Sequence, residues 1–225
     1  MIDFSPFWLT AKLAFITTLL LLFISVPIAN WLAYGKSKLK TVTEALVSMP
    51  LVLPPSVLGF YLLLAFSPQN GFGKWLDQYF DIRLVFTFPG LVVCSVIYSL
   101  PFMVHPIQSG LKNIPISIRE ASLTLGKSKF TTLLRVLLPN IRPSVITGIV
   151  LTFAHTIGEF GVVLMVGGSI PEQTKVISIA VYDEVQSMNY HTANIYAFIL
   201  FAFSFLILQM VYLINNRSGE VSPLR

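Results

Sequence analysis

Five long apolar stretches constrain the fold of this chain more than any other feature. A helix that crosses a bilayer needs about 20 mostly apolar residues. The stretches lie between Lys12 and Lys36, between Glu44 and Lys74, from Leu84 to about Gly110, from Pro143 to about Gly168, and between Glu184 and Arg217. The last has its apolar heart at Ile195 to Ile214. Only 11% of the 225 residues are charged, against about 25% in a soluble domain. The pattern predicts one all-α integral membrane domain with five transmembrane helices, over 13–35, 45–67, 84–110, 143–168 and 194–215.

Basic residues orient these spans, because Lys and Arg collect in cytoplasmic loops. Lys36, Lys38 and Lys40 separate spans one and two. Lys112, Arg119, Lys127, Lys129, Arg135 and Arg142 separate spans three and four. Arg217 and Arg225 follow span five. These three segments share one side and hold 11 of the 15 basic residues. That side is predicted to be cytoplasmic, with the N-terminus outside and the C-terminus inside. The same distribution accounts for the net charge of +5 without nucleic acid: no basic face is interleaved with stacking aromatics. Cys94 sits in an apolar run, where a lone cysteine packs as a small hydrophobe. The first apolar run is too long for a cleavable signal peptide.

Two segments lie outside the spans. Residues 111–142 form the longest basic loop, with Ile118, Ala121, Ser122 and Leu125, then Phe130, Leu133, Leu134 and Leu137, near helical spacing. Residues 169–192 form a polar external excursion that carries Pro171, Glu172, Asp183 and Glu184. Within the spans prolines are dense: Pro50, Pro54 and Pro55 open span two, and Pro89, Pro101 and Pro106 punctuate span three. Proline removes a backbone donor and kinks a helix, so a kinked bundle around a pathway is expected.

The loop 111–142 has internal punctuation. Arg119-Glu120-Ala121-Ser122-Leu123-Thr124-Leu125-Gly126 reads as a short helix stopped by a glycine suited to a left-handed cap. After nine intervening residues, Val136-Leu137-Leu138-Pro139 reads as a second helix ended by proline. Ala121 and Ser122 are small enough for a partner surface to approach closely, and Glu120 offers that partner a charge.

This pattern resembles the EAA loop of permeases of the ATP-binding-cassette (ABC) importers: Glu-Ala-Ala, three residues, Gly, nine residues, Ile, one residue, Leu-Pro. Glu120, Ala121, Gly126, Leu138 and Pro139 stand at that spacing. Ser122 replaces the preferred Ala and Val136 the preferred Ile. The resemblance implies that Glu120 to Gly126 form a coupling helix seated in a cleft of an ATPase subunit, with Arg119, Leu138 and Pro139 among the coupling residues. Two further stretches resemble the molybdate permeases, with the sulfate permeases as close relatives. One is Pro50-Leu51-Val52-Leu53-Pro54-Pro55-Ser56-Val57-Leu58-Gly59. The other is Gly158-Glu159-Phe160-Gly161, followed by Gly167, Ile170-Pro171, Thr174, Ala180-Val181-Tyr182 and Gln186.

Glu159 is an acid inside a span, which is costly and usually functional. Like charges repel, so its expected role is structural or gating, as a fixed acceptor for nearby donors, rather than contact with an anion. His155, four residues earlier on one helical face, is an expected partner; the family often has Arg there, and Glu159 bonding hydroxyls or backbone amides is the alternative. Gly158 and Gly161 permit close helix approach or a bend, so His155, Gly158, Glu159, Phe160 and Gly161 are the expected pathway or gate residues.

The chain has no P-loop, no metal-ligand cluster and no nucleophile–base pair. It is expected to be no enzyme and to bind no cofactor, with ATP held by a partner. The implied assembly is a homodimer with two ABC ATPase subunits on the cytoplasmic side and a periplasmic or surface oxyanion-binding protein. The implied location is a bacterial inner membrane, and the implied cargo molybdate, with tungstate or sulfate as alternatives. A secondary transporter would need an inverted repeat and coupling acids. A membrane scaffold would need no ATPase.

Overall fold

A computed structural model describes residues 3–35 and 37–219, with side chains to residue 209. Lys36 and Arg225, which entered the orientation argument, lie outside the described residues, as does the side chain of Arg217. Among the described residues the fold is all helical. The helices are α1 (Ser5–Tyr34), α2 (Leu39–Val52), α3 (Pro55–Phe66), α4 (Gly71–Phe80), α5 (Phe88–Asn113) and α6 (Ile116–Thr124). Next come α7 (Lys129–Thr132), a π-helical turn (Leu133–Leu137) and α8 (Leu138–Asn140). The last four are α9 (Arg142–Ile157), α10 (Gly161–Gly167), α11 (Ile177–Gln186) and α12 (Tyr190–Gly219).

Among the described residues, three helices are long and apolar enough to cross a bilayer: Ser5–Tyr34, Phe88–Asn113 and Tyr190–Gln209. Two further pairs qualify only together and are sharply bent, by 115° between α2 and α3 and by 83° between Lys129–Asn140 and Arg142–Ile157. The first bend falls at Leu53-Pro54-Pro55. Successive prolines lack the N–H groups that would continue α2, and the residue before a proline is driven to extended backbone. Leu53 is extended, at φ −72° and ψ 135°. By contrast, α5 continues through Pro101 and Pro106, so the proline count overstates the breaks in that helix.

The core is built where α1, α5 and α9 pack on one another. One cluster joins Leu21, Leu32, Met103, Ile107, Leu111, Leu137 and Ile141. Another joins Leu9, Leu13, Leu91, Val163 and Ile179. Ile179 belongs to the segment expected to be a polar excursion. Instead, residues 174–180 of that segment fold inward: Thr174, Val176, Ile177, Ile179 and Ala180 are buried, and the Thr10 hydroxyl accepts a hydrogen bond from the Ile177 N–H at 2.8 Å. The apolar spacing within Val176-Ile177-Ser178-Ile179-Ala180 is the cause, because α11 turns that face to the bundle. Lys175 and Asp183 pair at 2.8 Å on the outer side.

Candidate functional site: a cytoplasmic helix pair and a broken helix beside a cavity

The segment after α5 forms a compact helix pair. Pro115 ends the extension from α5 and starts α6. Gly126 takes φ +75°. The Gly126 N–H donates to the Leu123 carbonyl at 3.0 Å and the Lys127 N–H to the Ser122 carbonyl at 3.2 Å. That pair of bonds is a Schellman motif, which satisfies the last carbonyls of α6. Ser128 then caps α7 by accepting from the Thr131 N–H at 3.1 Å.

The side chains of α6 divide into two faces. Glu120 and Ala121 are exposed, as are Ile116 and Leu125. Ser122 is buried, and its hydroxyl meets that of Thr132 at 2.9 Å. The expectation that Ser122 faces a partner is therefore corrected: it joins α6 to α7. Arg119 is half-buried and stacks on Tyr34 at 4.6 Å. Pro139 does not end the second helix, which continues to Asn140. A widened turn precedes it, with the Leu138 N–H donating to the Leu133 carbonyl. This i→i+5 bond accommodates the ring that would crowd the carbonyl four residues back. Leu138 is half-buried and Pro139 exposed.

The other candidate residues lie where the fourth apolar stretch breaks. α9 ends at Ile157, Gly158 leaves helical geometry, Phe160 takes φ −128° and ψ −62°, and α10 starts at Gly161. Pro55, Ser56, Tyr98, Ala154, His155, Gly158, Glu159, Phe160 and Gly161 line a cavity of about 590 Å³. All five residues expected at the pathway are on that wall. A second cavity of about 400 Å³ has Gly158, Ser178, Val181, Ala197, Leu200, Phe201 and Ser204 on its wall. Gly158 is shared by both.

The expected His155–Glu159 pair is not formed. The helix stops between the two residues, so the i,i+4 geometry is lost. His155 Nδ1 instead meets the Ser99 hydroxyl at 2.9 Å, and its ring stacks on Phe102 at 3.9 Å. Glu159 is 3% exposed. Both of its carboxylate oxygens lack a hydrogen-bond partner among the described residues. The nearby Ser95 hydroxyl lies outside hydrogen-bonding geometry and also lacks a partner there. The acceptor at this position is the backbone carbonyl of Glu159, which takes the Ser178 hydroxyl at 2.6 Å. That bond ties the break to α11.

Gly161 serves close approach. A Cβ there would stand 2.8 Å from Pro55 Cβ and 3.1 Å from the Ser56 backbone nitrogen. Gly59 mirrors it, with Met165 Cβ at 2.9 Å and Val162 Cα at 3.0 Å. The two signature stretches thus meet as the α3–α10 contact. Tyr98, Pro55 and Ser56 were not singled out as cavity residues from sequence. The polar stripe Ser95, Tyr98, Ser99 on apolar α5, at spacings of three and four, was the available signal.

Residues 11–219 match the family described as the binding-protein-dependent transport system inner membrane component. The chain belongs to this family of importer permeases. The permease is 46% identical over 211 residues to the molybdenum transport system permease protein ModB of Azotobacter vinelandii, covering 93% of each chain. It is 37% identical over 172 residues to ModB of Haemophilus influenzae, covering 72% of this chain and 73% of the relative. The sulfate transport system permease protein CysT of Escherichia coli is 32% identical over 181 residues, 80% of this permease and 65% of CysT.

Among solved structures, the fold is similar to a bacterial ABC transporter involved in import of the acidic polysaccharide alginate. The TM-score is 0.76 at 17% identity, over 95% of this permease and 78% of that chain. It is also similar to the inward-facing MetNI methionine ABC transporter, at TM-score 0.72 and 18% identity over 94% of each chain. The permease is therefore a multi-pass inner-membrane protein with the fold of ABC importer permeases.

Proposed function

We propose that this chain forms the transmembrane pathway of a molybdate importer driven by ABC ATPase subunits. The observation that carries the cargo is the 46% identity to a molybdenum permease along 93% of both chains. Five spans, α1, α2 with α3, α5, α9 with α10, and α12, put the N-terminus outside and residues 111–142 in the cytoplasm. Two copies pair about a two-fold axis, as homo-oligomers commonly do. Each presents α6, with Glu120, Ala121 and Leu125 outward, to one ATPase subunit. The permease itself binds no nucleotide and no cofactor, and a separate oxyanion-binding protein delivers the cargo from outside.

The broken helix is the gate in this reading. ATP-driven approach of the ATPases moves α6, α7 and the bent α7–α9 pair. α9 carries that motion to Gly158-Glu159-Phe160, where helical hydrogen bonding is interrupted and rotation costs least. Glu159 repels an anion placed beside it, so it belongs to the wall that moves rather than to a cargo site.

Reconstitution of the permease with its ATPase and binding protein in proteoliposomes tests the reading. ATP-dependent molybdate uptake that resists an equal concentration of sulfate is expected. Equal uptake of sulfate shifts the cargo to the sulfate class. Uptake driven by an ion gradient without the ATPase overturns the proposal.

A further inference from the structure

We infer that α4 is an interfacial lipid anchor, lying in the headgroup–acyl boundary of the bilayer with its aromatic face in lipid. Phe72, Trp75, Leu76 and Tyr79 follow the i, i+3, i+4, i+7 spacing of one helix face. Lys74, Asp77 and Gln78 occupy the opposite face. Phe72, Trp75 and Tyr79 are 52%, 46% and 73% exposed. Their rings form a continuous row, with Phe72–Trp75 stacked at 6.0 Å and Trp75–Tyr79 at 6.2 Å.

The position of α4 decides what covers this row. Leu76 packs into the cluster of Phe66, Leu84 and Val166, which seats α4 where α3 ends and the turn into α5 begins. α6 follows the other end of α5. The 26 residues of α5 rise about 39 Å at 1.5 Å each, close to the full bilayer thickness of about 40–45 Å with headgroups. α4 therefore lies at the membrane surface opposite α6. At ten residues it is about 15 Å long, too short to span. Its aromatic row meets the end of α3 through Phe72 and Phe66, at 5.9 Å, and α3, a helix of the membrane bundle, itself exposes Phe60, Tyr61 and Leu64. Tryptophan and tyrosine favour the headgroup level, where the ring body is apolar and the polar tip is wet. The charged face is held toward water by Arg83, whose Nε donates to Asp77 Oδ1 at 2.7 Å.

A single-tryptophan permease (Trp8→Phe and Trp31→Phe), assembled with its ATPase in phosphatidylcholine nanodiscs, tests this. The lipids carry bromine at stepped acyl depths. Emission from Trp75 is expected to be quenched severalfold more by shallow bromine than by deep bromine, and to stay unchanged when the binding protein is added. Absence of quenching at every depth overturns the proposal, in favour of water or of a second copy covering the row. Quenching relieved by the binding protein overturns it in favour of a protein-docking face. Should the double variant not assemble, a nitroxide attached through Trp75→Cys gives the same reading. Its relaxation is expected to respond to oxygen more than to a water-soluble nickel chelate, and the reverse order overturns the anchor.

Discussion

The Arg119 guanidinium lies 4.6 Å above the Tyr34 ring, so the helix that carries Glu120 is braced on the last residue of α1. The Tyr34 hydroxyl donates to the Leu111 carbonyl at 2.7 Å, near the end of α5. One tyrosine thereby joins α6, α1 and α5, and a push on α6 reaches two core helices without passing through the loop.

Tyr34→Phe keeps the stacking surface and loses the hydroxyl. Its expected cost is about 1 kcal/mol, the net worth of one hydrogen bond. Tyr34→Leu removes the cation–π contact as well, adding about 0.5–1 kcal/mol. If α6 transmits force through this brace, Tyr34→Leu lowers cargo moved per ATP hydrolysed more than Tyr34→Phe does, while ATPase co-purification is unchanged. Paired uptake and phosphate-release assays on the two variants check this. Equal coupling in both removes Tyr34 from the transmission path.

Gly126 makes no close contact that a Cβ would disturb. Its requirement is conformational: at φ +75° an L side chain costs about 1–2 kcal/mol. Gly126→Asn is expected to be tolerated best and Gly126→Val worst, in that order of melting temperature. Gly126→Trp and Glu120→Lys act differently. They place bulk or reversed charge at the exposed end or face of α6, and are expected to abolish ATPase-driven uptake with normal membrane insertion. Normal uptake in both variants sinks the docking assignment.

Ser122 and Thr132 are buried and bonded to each other at 2.9 Å. Removing one partner strands the other, whereas replacing both with apolar isosteres is close to neutral. Ser122→Ala and Thr132→Val alone are each expected to lower stability by about 1–2 kcal/mol, and the double variant by less than their sum. A double-mutant cycle on thermal unfolding in detergent measures that coupling. Strict additivity contradicts the contact.

Much of this molecule was legible in sequence where one physical rule acts alone. Length and hydropathy found the long helices α1, α5 and α12. Gly126 announced its left-handed cap because little besides glycine relieves that strain. Pro54 and Pro55 bend the second stretch, as expected of its prolines, because they are adjacent and follow Leu53 into extended backbone. Where two rules compete, the reading failed. Pro101 and Pro106 left α5 continuous, set as they are in a packed helix. The His155–Glu159 pair assumed an unbroken helix through Gly158. Ser122 was small, but size alone does not say which face is inward; its hydroxyl found Thr132 ten residues on, a tertiary fact outside local periodicity.

The two glycines of the Gly158-Glu159-Phe160-Gly161 signature are expected to respond oppositely to the same substitution. A Cβ on Gly158 meets nothing closer than 3.8 Å, and the nearest atoms are carbonyls of its own helix. Its φ of −85° is open to any residue. Gly158→Ala is thus expected to fold and transport nearly as the parent does. A Cβ on Gly161 presses on Pro55 Cβ at 2.8 Å and the Ser56 backbone at 3.1 Å, neither of which can rotate aside. Gly161→Ala must push α10 from α3, at about 1–3 kcal/mol for overpacking, and it opens one wall of the cavity that holds Glu159. Gly59→Ala presses on the same contact from the other side and is expected to match it. Uptake and melting temperature of the three variants decide the matter: Gly158→Ala near the parent, with the other two lowered together, identifies the α3–α10 contact as the support on which the broken helix rests. If Gly158→Ala proves the most damaging of the three, the requirement lies in the break itself.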